Sequence, residues 1–189
     1  MQFDRRTFVR TLGAGVAVGA LGGTAATARR NENGDANANA DGNGRIDRLL
    51  STGSPVPENV GFDDEGNLYV GITGGSVRRL PADLTDETGL PLCATTEVAT
   101  YEGGVAGVTV ADGTLYAAVN GDSGGVYVLD LGAGGSPERL ATILPGGNGF
   151  VNDHYADGDR LLVTESFGGT VYEIPVDEAA PDASVWVQD

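Results

Sequence analysis

The sequence predicts an all-β fold: a portion, about three blades, of a six-bladed β-propeller built from four-stranded antiparallel sheets. Three observations predict it. One unit recurs three times, at residues 58–80, 107–131 and 152–176. The glycines of its acidic turn, Gly66, Gly113 and Gly158, stand 47 and 45 residues apart, a spacing of propeller-blade length. Helical periodicity is absent beyond the N-terminal segment.

Each unit opens with a short alternating run, turns at an acidic residue beside glycine, and continues into a second run. A second glycine turn and a third run follow. An Asp-Gly or Glu-Gly pair between alternating runs is a strong hairpin signal. After a polar loop comes a fourth run, at Val98–Tyr101, Leu140–Ile143 and Val185–Val187. The expected blades are therefore 46–101, 102–145 and 146–189. The stretch Ile46–Leu50 lies outside the repeat and reads as an outer strand completing the last blade of a closed ring. The loop Pro81–Thr96 is long, and its Cys93 reads as structural or incidental. Propellers close with about four to eight blades. Three would leave two open sheet faces, as in a truncated chain or in half of a ring that a homodimer completes.

Composition excludes several classes of function. The chain has 189 residues, 27 Asp plus Glu against 11 Lys plus Arg, and a net charge of −16. Every basic residue is arginine. So acidic a chain is not expected to bind nucleic acid by neutralising phosphates. One cysteine and one histidine exclude an internal disulfide, a cysteine-built zinc site and a multi-histidine metal centre. An acid-rich, lysine-free surface is the expectation for a halophilic protein, whose carboxylates stay hydrated when salt screens charge.

The first 28 residues read as an address. Arg5 and Arg6, followed by Phe8, precede an apolar glycine-rich run and the small-x-small pattern Ala26-Thr27-Ala28. This order is that of a signal peptide, here of the twin-arginine type, so the protein is expected to be exported to the cell surface or beyond. The run is too short and glycine-broken for a stable membrane span. Residues 29–44 are Asn-, Asp- and Gly-rich and read as a disordered linker. The spacing Asp35, Asn37, Asn39 resembles the start of a calcium loop, but Ala40 stands where that loop needs glycine, and no glutamate closes it.

The segment ENVGFDDEGNLYV (58–70), and more specifically FVND (150–153) with VTESFGGTVYEI (163–174), resembles the gluconolactonase/senescence-marker-protein/luciferin-regenerating-enzyme family. The resemblance covers residue 46 to the end; its blade motif is shared with NHL-type binding propellers. It implies a six-bladed propeller with one divalent cation, usually calcium, in the central channel, and hydrolysis of sugar lactones or related esters. Aligned on the turn glycines, the innermost strands begin at Glu58, Gly107 and Asn152. Glu58 and Asn152 then match the first two ligand types of the family and are the candidate metal ligands. Oxygen donors without histidine or cysteine suit calcium better than zinc. The family's third ligand, an aspartate, would lie beyond Asp189. Asp153 is a candidate site acid. His154, which alternation directs the same way as Asn152, is a candidate general acid or base, although a packed histidine is the commoner role. Glu165 and Ser166 read as turn chemistry before Gly168-Gly169. The expected function is thus an exported lactonase-like propeller acting on a small lactone or ester, with a non-catalytic NHL-like binding propeller or a truncated remnant as the alternatives.

Overall fold

Turn chemistry and strand alternation set the architecture. Asp112 (φ 49°) and Gly113 (φ 75°) both take the left-handed conformation of a tight type I′ turn between Ala111 and Thr114. The computed structural model describes residues 47–53, 55–143, 149–178 and 181–188, together with the backbone of 29–30, 36–37, 39–40 and 44–45. That N-terminal backbone belongs to a unit ending at Ile46. It holds two antiparallel pairs, β1 (Arg29–Arg30) with β2 (Ala36–Asn37) and β3 (Asn39–Ala40) with β4 (Gly44–Arg45). The pairs lie in the segment expected to be a linker. Arg5 and Arg6 lie outside the described residues, as does Ile46.

The second unit, residues 47–189, carries three four-stranded antiparallel sheets in chain order. It begins with β5 (Leu50–Ser51). Sheet 1 comprises β6 (Pro57–Phe62), β7 (Leu68–Ile72), β8 (Ser76–Leu80) and, after the short strand β9 (Leu90–Pro91), β10 (Thr96–Thr100). Sheet 2 is β11 (Val105–Ala111), β12 (Thr114–Val119), β13 (Gly125–Asp130) and β14 (Glu138–Thr142). Sheet 3 is β15 (Val151–Asp157), β16 (Arg160–Glu165), β17 (Thr170–Pro175) and β18 (Ser184–Gln188). The inner strands β6, β11 and β15 lie side by side, with β11 in contact with both others. Among the described residues no helix is long and apolar enough to cross a membrane.

The core lies between the sheets. One cluster joins Tyr69, Val77 and Ala99 of sheet 1 to Val108, Leu115 and Leu129 of sheet 2. A second joins Ala118, Val126 and Ala141 of sheet 2 to Leu161, Val163 and Ile174 of sheet 3. Each fully buried leucine or isoleucine contributes about 1.5–3 kcal/mol of burial free energy. Polar bonds cross both seams. The Val108 N–H donates to Asn59 Oδ1 at 3.0 Å. Asn120 grips Val151 through both its backbone groups at 2.8 Å, and the Thr109 hydroxyl donates to the His154 carbonyl at 3.0 Å.

Two expectations are corrected. Leu50–Ser51, read as an outer strand for the last blade of a closed ring, belongs to none of the three four-stranded sheets. It pairs in parallel with Leu90–Pro91. Leu49 and Leu50 then pack, with Leu84, Leu90 and Ala94, on Leu68, Val70, Ile72 and Leu80. The outward face of sheet 1 is therefore covered rather than open. The loop expected at 81–96 supplies that cover, because its leucines gain more by burial on the sheet than by exposure.

The seams are close because glycine faces them. A Cβ on Gly107 would lie 2.8 Å from the Asn152 carbonyl oxygen and 2.9 Å from Asp153 Cα and His154 Nδ1. The Gly107→Ala variant should lose about 1–3 kcal/mol of stability by overpacking. Gly132→Ala, whose Cβ would meet only Asp130 Oδ1 at 3.4 Å, should change little. Urea unfolding of the two variants beside the parent checks the difference.

Candidate functional site

All three inner strands carry a bulge at the same place. Two residues oppose one on the neighbouring strand between Pro57 and Val60, between Val105 and Val108, and between Val151 and His154. The ladder therefore aligns Glu58 with Ala106 and Asn152, and Asn59 with Gly107 and Asp153. Alignment on turn glycines had set Gly107 beside Glu58, one residue out of step. A bulge re-aims the side chains it carries. Glu58, Asn152 and Asp153 are exposed, while Asn59 turns into the seam. His154 is redirected too. It does not share the direction of Asn152, because the bulge intervenes and breaks the alternation. Its ring is buried in the seam, edge-on to Tyr116 at 6.4 Å.

The segments 150–153 and 164–168 form one hydrogen-bonded knot. Glu165 ends β16 and is 2 % exposed. Its Oε1 accepts the Phe150 and Phe167 N–H groups, each at 2.8 Å, and its Oε2 accepts the Gly168 N–H at 2.6 Å. A Cβ on Gly168 would lie 2.8 Å from Oε2 and would displace the carboxylate. Thr164 Oγ1 accepts the Asp153 N–H and donates to its carbonyl, both at 3.1 Å. Asn152 Nδ2 donates to Ser166 Oγ at 3.1 Å. The knot holds Phe150 and Phe167 with ring centroids 5.9 Å apart, and Phe167 remains 74 % exposed. The exposed phenyl ring thus follows directly on Ser166, whose hydroxyl accepts the Asn152 amide, while Asp153 Oδ1 accepts the His154 N–H at 2.8 Å. Turn chemistry was legible at Glu165–Ser166. The role of Phe167 was not, since nothing in its spacing separates an exposed ring from a packed one.

Solved structures show what this arrangement of sheets is. The chain matches the β-propeller domain of Myceliophteria thermophila Cps50 (Swd1) with a TM-score of 0.51 and 14% identity, over 70% of this chain and 39% of that one. It also matches a structure of the nidogen/laminin complex with a TM-score of 0.54 and 13% identity, over 72% of this chain and 49% of that one. The fold is a β-propeller. The computationally designed Ika4 protein is similar as well, with a TM-score of 0.50 and 12% identity over 75% of this chain and 78% of that one. The three sheets are three blades, and the chain spans less than half the length of the Cps50 and nidogen/laminin chains it matches. No protein-family model and no curated protein matches the sequence.

The blades place the candidate metal ligands. Glu58 belongs to blade 1 and Asn152 to blade 3, with blade 2 between them. Blade 2 offers only Ala106 and Gly107 at the bulge, and the glycine is packed against Asn152 and Asp153. Among the described residues no group of three or more His, Cys, Asp or Glu side chains is placed to hold a metal ion.

A cleft opens at the opposite ends of the strands, between blades 1 and 2. It measures about 370 Å³ and is lined by Asp63, Asn67, Tyr69, Arg79 and Leu131, among others. Most of its wall groups bond one another, although Arg79 Nε is buried without a hydrogen-bond partner. Asp63 accepts the backbone N–H groups of Glu65 and Asn67 at 3.0 and 2.8 Å, and the Tyr69 hydroxyl at 3.0 Å. Arg79 donates to Asn67 Oδ1 at 3.0 Å. Burial and the bond to Asp63 push the Tyr69 phenol up to about 12. The cleft is thus a turn braced by Asp63, with one guanidinium nitrogen of Arg79 left unbonded.

Two acid-sensitive groups frame the knot. Burial lowers the His154 pKa to about 4 from 6.5, partly opposed by the Asp153 charge and the nearby Tyr116 backbone. Neither ring nitrogen has a hydrogen-bond partner. The unfolded chain binds this proton more readily, so the penalty grows as pH falls from 6.5 to about 4. It reaches roughly 3 kcal/mol. His154→Phe should flatten the pH dependence of urea unfolding in that window. Burial alone would raise the Glu165 pKa, but three backbone N–H donors outweigh it and hold the carboxyl below its ordinary range. Its contribution is present above pH 4.5 and is lost as pH falls through the lowered value. Glu165→Gln puts an amide N–H₂ among those donors and should cost about 1–3 kcal/mol. Faster amide exchange at Phe167 and Gly168 would report the same loss locally.

Proposed function

We propose that this propeller portion is an exported binding module, and that its rim at the starts of the inner strands takes a small hydroxylated ring compound of the sugar-lactone kind without hydrolysing it. The observation that carries this reading is Phe167, held exposed by the buried Glu165 next to Ser166, whose hydroxyl accepts the Asn152 amide. A phenyl face offers stacking to the apolar side of a ring. The Ser166 hydroxyl and the Asn152 amide offer bonds to ring hydroxyls. Such recognition does not depend on net charge, so it persists where salt screens carboxylates. The resemblance of FVND and VTESFGGTVYEI to lactone-hydrolysing propellers suggests the ligand class. Export follows from the Arg5-Arg6 segment and is part of the same proposal.

A second reading is a divalent-metal-dependent lactonase or ester hydrolase. It is favoured by the exposed oxygen donors Glu58, Asn152 and Asp153, all in corresponding bulges. Calcium would be held by Glu58 and Asn152, with Asp153 as the site acid. The ligand-free bulge of blade 2 weighs against it.

Calorimetric titration with a panel of aldonolactones, with and without calcium, separates the two. The binding reading expects calcium-independent binding, weakened tenfold or more by Phe167→Ala, with the lactone recovered intact. Calcium-stimulated ring opening that disappears in Asn152→Ala would establish the hydrolase instead.

A further inference from the structure

Arg79 is a charge that the fold does not require. It lies on β8 opposite Tyr69, two residues beyond the buried Val77, and alternation puts it on the same face, toward blade 2. In blade 2 the equivalent place, opposite Tyr116, is taken by Val128. Arg78 and Arg160 each pair with a carboxylate, Glu97 at 3.2 Å and Asp157 at 2.8 Å. The half-buried Arg79 pairs with none among the described residues, and its one hydrogen bond there goes to the neutral Asn67 amide. Its Nε is buried without a partner. A guanidinium carries five N–H donors in a planar fork that matches a carboxylate, and among the described residues most of these are unused.

Two cavities meet at Arg79. The cleft of about 370 Å³ carries the exposed carboxylates of Asp64 and Glu65. A second cavity of about 220 Å³ shares Tyr69, Arg79 and Leu131 with it and adds Val98 and Leu129. The other carboxylates of these walls are already committed. Asp63 holds its own turn and the Tyr69 hydroxyl, and Asp130 accepts the Gly132 and Ala133 N–H groups, each at 2.8 Å. The lining thus runs from free carboxylates, past a guanidinium, to aliphatic side chains.

A ligand for this lining must accept from Arg79 and donate to Asp64 and Glu65. A simple anion is repelled by a chain of net charge −16, and a simple cation leaves the guanidinium unmatched. A zwitterion answers both charges and carries no net charge of its own. We infer that the two cavities form a site for a free α-amino acid with an aliphatic side chain. Its carboxylate meets the Arg79 guanidinium, its ammonium meets Asp64 and Glu65, and its side chain lies against Val98 and Leu131. The site belongs to the seam of blades 1 and 2 and is separate from the blade 3 rim at Phe167.

Calorimetric titration of the chain with L-leucine in molar KCl tests the inference. The expected result is saturable binding at one site per chain. N-acetylleucine lacks the ammonium and leucinamide lacks the carboxylate, so each should bind at least tenfold more weakly. Arg79→Gln should weaken leucine binding tenfold or more with the β-sheet circular dichroism intact. Arg139→Gln makes the same charge change at an exposed arginine of blade 2 and should leave binding unchanged. Asp64→Asn alters an exposed side chain, should weaken binding at least threefold, and decides the matter alone if Arg79→Gln does not fold. No saturable binding up to about 10 mM leucine, equal binding of N-acetylleucine or leucinamide, or binding indifferent to the Arg79 and Asp64 substitutions would overturn the inference.

Discussion

The close approach of β6, β11 and β15 is the constraint on which the rest of the structure depends. Side by side, these strands leave no room for a Cβ at Gly107, and little at Gly61 and Gly71. That proximity lets Asn59, Thr109 and Asn120 bridge the seams through single side chains. It also closes two apolar clusters that no blade could form alone. A four-stranded sheet with one wet face gains little by folding in isolation. Stacked through the inner strands, each sheet buries what its neighbour leaves open.

The rim follows from the same constraint. The bulges at the starts of the inner strands lift Glu58, Asn152 and Asp153 out of the pleat while Asn59 and Gly107 remain in the seam. In blade 3 the polypeptide then spends a buried carboxylate on three backbone donors to fix two loops and an exposed ring. Charged acceptors form the stronger hydrogen bonds, and Glu165 makes three, to donors of two loops. His154 lies behind this rim as an unpartnered neutral ring in the seam, so its chemistry concerns stability rather than the surface.

Much of the fold was legible in the sequence. The recurring acidic–glycine turns and alternating runs marked twelve blade strands, because period-two patterning and hairpin turns are local signals. The bulges were not legible. A bulge adds a residue to one strand without altering composition, and its presence shows only in the pairing. That is why Gly107 was set one residue out of step and why alternation misdirected His154. The cover on blade 1 escaped for a different reason. Leu49, Leu50, Leu84 and Leu90 are distant in sequence, and no local period reveals that they meet. Glu165 was readable as turn chemistry, but its three donors come from two loops that only the folded chain brings together.

The account rests on the claim that the blades stand or fall together through their seams. Thermal unfolding followed at once by far-ultraviolet circular dichroism and by tyrosine absorbance tests this most directly, since Tyr69, Tyr101, Tyr116 and Tyr127 line the two seams. The account predicts one cooperative transition with coincident midpoints in molar KCl. Separate transitions, or a gradual loss of β signal with the tyrosines already solvated, would contradict it.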